Sequence, residues 1–408
     1  MRKLMTGNEA AAWGVRLAEV DYVPAFPITP QTEIIERLSE WSATGEAACR
    51  LVMLESEHSM LTAAGTAAAT GVRTFTATSS QGLLYAMEML YTTPGWRAPF
   101  VLVNVSRGLA SPITLEPDHN DVLAARDSGF LQLHAATCQE VLDLVLLAFR
   151  MGEDATVRLP VIVNLDGFYL SFTREPVQVP DMEAARAFLP PYDARALHFR
   201  AGEPSAQGVA VLGGAPYSYF RYETHLAARA GLAAFAAGAR DFAQRFGRVY
   251  RPVETYRCED AEFAFVMMGA FATKAKSAVD GLRAEGWRIG LVRPVMLRPW
   301  PDEELAQALR GLRGVVVVDQ NLAPGHGGVL HGDVLATLYQ AGVPGPVVAA
   351  FVGGLGGRDI ALEEFAEMAR VVRTAADAGK SPPARMLYTA EELRQTRALQ
   401  AVALGGGV

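Results

Sequence analysis

The feature that most constrains this chain is an alternation. Short apolar runs at 22–26, 49–54, 73–78, 100–105 and 161–165, and again at 263–269, 289–292, 315–318 and 347–352, are separated by stretches with apolar residues at helical spacing. Ile34, Ile35, Leu38 and Trp41 mark one such helix. Val141, Leu144, Val145 and Ala148 mark another, over 139–150. Continuous apolar strands alternating with helices belong to a mostly parallel sheet covered on both faces. The fold class is therefore α/β. Three or four strand–helix repeats in each half predict two open parallel sheets, not a barrel.

Residues 171–220 break the rhythm. Prolines cluster from Pro176 to Pro191, which predicts a long connecting excursion, and 222–248 predict an alanine-rich helix or pair of helices. The expected organisation is a first domain over 1–240 that includes the excursion, a second over 250–377, and a loosely attached tail over 378–408. The boundary falls between 235 and 256.

A chain of 408 residues that is 50% hydrophobic supports this many layers. Its formal charge of -7, with no block of lysines or arginines, argues against a nucleic-acid partner. No run is apolar enough for membrane insertion, and no signal peptide opens the chain, so a cytoplasmic protein is expected. Cys49, Cys138 and Cys258 are far apart and the seven histidines are scattered. No metal site of the chain's own is expected. The glycine run at 353–357 has neither the P-loop nor the G-x-G-x-x-G spacing, and no G-x-S-x-G occurs.

In open parallel sheets, ligands bind beyond the carboxyl ends of strands. Polar clusters at 27–32, 55–58, 78–82 and 106–107 all sit at predicted strand ends, as do 293–294, 319–321 and 353–359. Thr29 fits an N-cap and Pro30 a first helical position. Such a helix mouth suits a carboxylate, or is an ordinary capped helix. Arg107, directly after an apolar strand, is either a fork for a carboxylate or a surface arginine. Glu57 begins a helix of small residues. It either shares a proton with an aromatic ring nitrogen or stabilises the helix N-terminus. His58 and His119 are either acid–base groups or histidines with no part in a site.

Taken in order, these stretches resemble a known family. They run from Gly7-Asn8-Glu9-Ala10 through Phe26-Pro27-Ile28-Thr29-Pro30-Gln31-Thr32-Glu33, Glu55-Ser56-Glu57, Phe75 to Leu83 and Asp118-His119-Asn120-Asp121. They continue through Tyr222-Glu223-Thr224-His225, Gly290-Leu291-Val292-Arg293, Arg298-Pro299 and Gly354 to Asp359. Together they are similar to the α subunit of the thiamine-diphosphate-dependent 2-oxoacid:ferredoxin oxidoreductases, the pyruvate synthase and phenylglyoxylate dehydrogenase group.

The resemblance implies a pyrimidine-binding thiamine diphosphate domain followed by a transketolase-C-terminal-like domain. It implies a β subunit that shares the thiamine diphosphate and holds its Mg2+. It also implies γ and δ ferredoxin-like subunits, 4Fe-4S clusters on partners, a flavin subunit with FAD if the chain is of the phenylglyoxylate type, and coenzyme A as a substrate. The assembly would be a dimer of the hetero-oligomer. Carried over residue by residue, Glu57 matches the glutamate on the aminopyrimidine ring, and Thr29 and Arg107 match residues that hold the 2-oxoacid. Pro30 and His58 would line the substrate, and Ser80, Gln81 and Gly82 the cofactor. The implied reaction is oxidative decarboxylation of a 2-oxoacid to acyl-coenzyme A, with electrons passed to ferredoxin or NAD.

Residues 108–117 and His58 depart from the pyruvate-type pattern, which opens the substrate to branched-chain or aryl 2-oxoacids such as phenylglyoxylate. Two further readings stand beside this one: a noncatalytic scaffold of the same fold, and a transketolase-like or dehydrogenase subunit without iron–sulfur partners.

Overall fold

The computed structural model of the chain describes residues 1–192, 202, 204, 206–342 and 345–403. The first half carries strands β1 (Arg2–Thr6), β2 (Tyr22–Ala25), β3 (Arg50–Met53), β4 (Phe75–Thr78), β5 (Val101–Ser106), β6 (Leu131–His134), β7 (Val161–Asp166) and β8 (Arg174–Gln178). The second carries β9 (Val253–Tyr256), β10 (Phe263–Val266), β11 (Ile289–Pro294), β12 (Met296–Arg298), β13 (Gly314–Asp319), β14 (Val347–Val352) and β15 (Arg385–Met386).

One sheet has the order β12-β6-β7-β5-β4, parallel except for β12. Its centre is wholly buried: β5 reads VLVNVS, β7 reads VIVNLD, and Val101 lies beside Val161. The two strands' asparagines pair within the core, Asn104 Nδ2 donating to Asn164 Oδ1 at 2.8 Å. The parallel pair β2-β3 continues this sheet through a bridge between Tyr22 and Thr74. Pro24 has no N–H for a further ladder bond, and the Thr76 hydroxyl donates to its carbonyl at 2.8 Å instead. Chain order therefore reverses between β2 and β4, where the ladder is reduced to that bridge. Such a switch point leaves a crevice at the strand carboxyl ends.

The second sheet has the order β15-β14-β13-β10-β11-β9, parallel except for β9. The two open, mostly parallel sheets are as expected. Their connections are less separable than the sequence implies, because β12 leaves the second half to pair with β6 of the first sheet.

Several local expectations are corrected. Thr29 is not an N-cap, nor is Pro30 the first helical residue. The Gln31 N–H bonds the Ile28 carbonyl at 3.0 Å, which puts Thr29 and Pro30 at the centre of a turn, so the helix begins later, at Thr32–Thr44. The predicted helix from Leu83 to Tyr91 is two, Ser80–Tyr85 and Met87–Gly95. The alanine-rich segment is one helix, Ala215–Phe246. Arg293 lies within β11, not beyond its end. The excursion 171–220 contains β8, paired antiparallel with β1, and a helix Met182–Phe188, while its middle lies outside the described residues. The tail is not loose throughout: it adds β15 beside β14, and Arg358 forks between Glu364 and Glu392.

The halves meet through buried charge. Arg293, 2% exposed, reaches Glu140 of the helix Cys138–Gly152 at 2.7 Å and Glu254 of β9 at 2.5 Å. His119 Nε2 lies 2.7 Å from Asp166 Oδ1, and the other Asp166 oxygen accepts the Ala270 N–H at 2.7 Å. Gly269 (φ +73°) must be glycine-like here, because a Cβ would lie 2.7 Å from Asp166 and 2.8 Å from the His119 ring. Burial lowers the His119 imidazole, but the carboxylates of Asp166, Asp121 and Asp118 more than offset it and hold it above its usual range. Nearby, Asp319 accepts the N–H groups of Leu330 and His331 at the start of the helix Val329–Gln340, and burial pushes its carboxyl up to about 7.

Two outcomes follow. Replacing Arg293 by Met strands two partly buried carboxylates and should lower stability by about 3 kcal/mol, read as a lower urea midpoint; an unchanged midpoint refutes the clamp. For Asp319, the unfolded carboxyl ionises near 3.8 and the folded one near 7. Between these values the unfolded state alone has lost the proton, so stability falls as pH rises, at up to about 1.4 kcal/mol per pH unit. Asp319→Asn should therefore gain stability relative to the native chain from pH 5 to pH 7. A pH-independent difference between the two would contradict this.

Candidate active site

The crevice between β2 and β4 collects the predicted residues from four strand ends. Thr29 follows β2, Glu57 follows β3, Ser80 to Gly82 follow β4, and Arg107 follows β5. Each strand stops where its apolar run stops, and the polar residue after it falls at the sheet's rim.

Glu57 is the first residue of the helix Glu57–Ala69, capped by the Ser56 hydroxyl, which accepts the Ser59 N–H at 3.2 Å. It is 6% exposed, yet among the described residues nothing hydrogen-bonds its carboxyl. Gly82 faces it: a Cβ there would lie 2.6 Å from Glu57 Oε1 and 2.5 Å from Thr78 Oγ1. Any side chain at residue 82 would displace the carboxyl.

Arg107 is 7% exposed. Its Nη1 donates to the Thr29 carbonyl at 2.8 Å and its Nη2 to Gln81 Oε1 at 2.9 Å. Burial pulls the guanidinium below its ordinary value, against the attraction of Asp121. Ser80, fully buried at φ +50°, has its hydroxyl 2.6 Å from Gln81 Oε1 and 2.9 Å from the Gly108 carbonyl. Thr29 is exposed and its hydroxyl bonds no described residue. Pro30 is buried; its carbonyl accepts from Asn8 Nδ2 at 2.9 Å, and its ring lies where a Cβ on Gly167 would fall.

Two candidate residues, His58 and His119, are not brought into this cluster. His58 Nε2 turns to Glu88 at 3.2 Å, in an exposed pair. His119 serves the seam between the halves. The loop after Arg107 closes on itself, with the Gly108 N–H bonded to the Glu116 carbonyl at 3.0 Å, and leaves Ile113 and Leu115 exposed.

Sequence reasoning missed the residue at the back of the site. Asp121, fully buried, accepts from Ser106 Oγ (2.6 Å), the Val122 N–H (2.7 Å), the Ser80 N–H (3.0 Å), Asn104 Nδ2 (3.1 Å) and the Arg107 N–H (3.2 Å). Burial pushes its carboxyl up, and these donors pull it down. The only signal was its place in Asp118-His119-Asn120-Asp121, two acids in a polar turn.

Among the described residues, unpaired buried atoms occur in several parts of the molecule, and three of them, Thr78 Oγ1, Ser79 Oγ and Arg107 Nε, lie on the crevice side. Buried polar groups normally find partners, so these three, with the lone Glu57 carboxyl, fit a ligand rich in hydrogen-bonding groups. An aminopyrimidine ring beside Glu57 meets that description. Among the described residues, no group of three or more His, Cys, Asp or Glu could hold a metal ion.

Comparison with known proteins adds the family. Residues 13–231 match a family model described as the thiamine diphosphate-binding domain of pyruvate flavodoxin/ferredoxin oxidoreductase, and residues 261–365 match core domain II of pyruvate:ferredoxin oxidoreductase. The chain is 37% identical over 380 residues to pyruvate synthase subunit PorA of Pyrococcus furiosus, covering 93% of this chain and 96% of that one. It is 39% identical over 381 residues to ketoisovalerate oxidoreductase subunit VorA of Pyrococcus horikoshii, covering 93% and 96%. A 2-oxoglutarate:ferredoxin oxidoreductase from Magnetococcus marinus superposes with a TM-score of 0.69 at 20% identity, over 91% of this chain and 65% of that chain. A split-gene transketolase does so with a TM-score of 0.52 at 15% identity, over 92% and 97%. Those two likenesses show the fold alone, an α/β architecture shared with transketolase; the thiamine diphosphate-binding description of the first part comes from the family model. The chain belongs to the 2-oxoacid:ferredoxin oxidoreductase family, as its α subunit.

Proposed function

We propose that this chain supplies the substrate-binding and acid–base groups of a coenzyme A-acylating 2-oxoacid oxidoreductase. The observation that carries this is one crevice holding a partnerless buried carboxyl, Glu57, and a desolvated guanidinium, Arg107. Bound thiamine diphosphate supplies the electron sink that lets a 2-oxoacid lose carbon dioxide.

With the cofactor bound, Glu57 would hydrogen-bond a ring nitrogen of the aminopyrimidine and share a proton with it. Gly82 keeps that approach open. Arg107 binds the carboxylate of the 2-oxoacid, and the Thr29 hydroxyl, free at the rim, donates to the same anion or to the keto oxygen. Pro30 fixes the Thr29 turn by its bond to Asn8. The side chains of Ser80 and Gln81 are engaged with Gly108 and Arg107, so of the three residues expected at the cofactor, Gly82 fits most directly.

A β subunit would hold the diphosphate and its Mg2+, and 4Fe-4S clusters on β, γ and δ partners, or a flavin subunit, would supply the electron path to ferredoxin or NAD. The substrate side chain is bounded in part by the loop 108–117. Near-equal identity to a pyruvate synthase and a ketoisovalerate oxidoreductase supports either pyruvate or a branched-chain 2-oxoacid.

Glu57→Gln should lower kcat by roughly 10²- to 10⁴-fold, the usual worth of a positioned acid–base group, with the complex intact. Gly82→Ala should do comparable harm, because its Cβ intrudes 2.6 Å from Glu57 Oε1. Undiminished kcat in both variants would remove Glu57 from the mechanism. The substrate is read by anaerobic, coenzyme A-dependent reduction of viologen and of NAD, with pyruvate, 2-oxoisovalerate and phenylglyoxylate side by side. A complex loaded with thiamine diphosphate and clusters that turns over none of them would overturn the reading.

A further inference from the structure

The buried arginines of this chain are held in two ways. Arg73 is gripped by both oxygens of Glu153 at 2.7 Å, and Arg293 by both oxygens of Glu140 at 2.7 and 3.0 Å. Those guanidinium charges are spent on internal carboxylates. Arg107 makes no side-chain ion pair among the described residues. Its two side-chain bonds go to neutral oxygens, the Thr29 carbonyl and the Gln81 amide. Even Asp121 meets Arg107 through the backbone N–H.

We propose that Gln81 is a positioning residue: it fixes the Arg107 guanidinium at the crevice without cancelling its charge, so that the charge is available to the carboxylate of the 2-oxoacid. This rests on the assignment of Arg107 as the carboxylate anchor. The Gln81 amide has one orientation, because the guanidinium N–H can only donate and Oε1 must face it. The Ser80 hydroxyl bonds the same oxygen at 2.6 Å, and Ser80 is itself pinned by Asp121 through its N–H at 3.0 Å. Gln81 Nε2 is left with no acceptor among the described residues, a further donor beside the anion. A glutamate at 81 would have the same length and reach. It would also pair with Arg107 as Glu153 pairs with Arg73, and compete with the substrate.

The test uses the assembled complex carrying Gln81→Glu, Gln81→Leu or Arg107→Gln, with KM and kcat measured from pH 5 to pH 8 and bound thiamine diphosphate quantified. Gln81→Leu should raise the KM for the 2-oxoacid about tenfold, the loss of one charge-assisted tether, with a smaller change in kcat. Gln81→Glu should raise it more, about 100-fold, and by the same factor across this pH range, because a carboxylate paired with Arg107 stays ionised above pH 5. A residue that mattered only for folding would not rank the isosteric Glu variant above the Leu variant in KM with kcat little changed. If Arg107→Gln leaves KM unchanged, the anchor assignment fails, and this inference with it. If Arg107→Gln raises KM while both Gln81 variants keep the native KM, the positioning role alone fails. Loss of bound thiamine diphosphate at native KM in the Gln81 variants would make Gln81 a cofactor contact and equally overturn the proposal.

Discussion

Everything at the candidate site hangs from the Asp121 carboxylate. A buried carboxylate is costly unless donors surround it, and Asp121 is surrounded by groups from β5 and from the turns after β4 and β5. Two of those donors are the backbone N–H groups of Ser80 and Arg107, which open the two segments that face the ligand. Ser80 sits at φ +50°, a conformation disfavoured for a residue with a Cβ, and the Asp121 bond is what holds it there. Strip Asp121 away and these backbone donors are orphaned in the core, so the two loops lose their common reference.

The sheet explains why such an anchor is needed. A switch point opens a crevice because neighbouring strands send their connections to opposite sides, and here β2 and β4 share little beyond one bridge and the Thr76–Pro24 bond. The same geometry that makes room for a ligand removes the ladder that would have rigidified the rim. Side-chain hydrogen bonds take over: Asn8 to Pro30 on the β2 side, Asp121 to Ser80 and Arg107 on the other, and Arg107 itself reaching across to the Thr29 carbonyl.

Much of this was legible in the sequence, for a physical reason. β5 and β7 are buried on both faces, so apart from the paired Asn104 and Asn164 they open as unbroken apolar runs, and the polar residues that end each run are therefore placed at the rim. The position of Glu57, Arg107 and Thr29 at the rim follows from that, while the family resemblance is what singled them out among the rim residues. What was illegible has equally definite causes. β1, β8 and β12 are short strands of mixed polarity, and β12 pairs with a strand far back in the chain. Thr29 mimicked a helix cap because a turn and a cap favour the same residues. Asp121 was hidden because its partners are mostly backbone N–H groups and its own surroundings, 111–121, carry no periodicity. The pairing of Gln81 with Arg107 is a tertiary contact between adjacent strand ends, which no local pattern reports.

The polar groups around the crevice differ in how far they are used. Behind the rim, the Asp121 carboxyl accepts five donors. On the crevice side, Thr78 Oγ1, Ser79 Oγ and Arg107 Nε are buried without partners and the Glu57 carboxyl has none among the described residues, while other unpaired buried atoms, Asn104 Oδ1 among them, lie elsewhere. Preorganised groups stabilise a reacting ligand because they do not have to turn toward it. That calls for a rigid backing and an unsaturated face; Asp121 contributes to the first, and the crevice atoms to the second. A chain with every polar atom satisfied would be more stable alone and would have nothing left to offer a ligand. The unpaired crevice atoms are what this subunit withholds from its own fold.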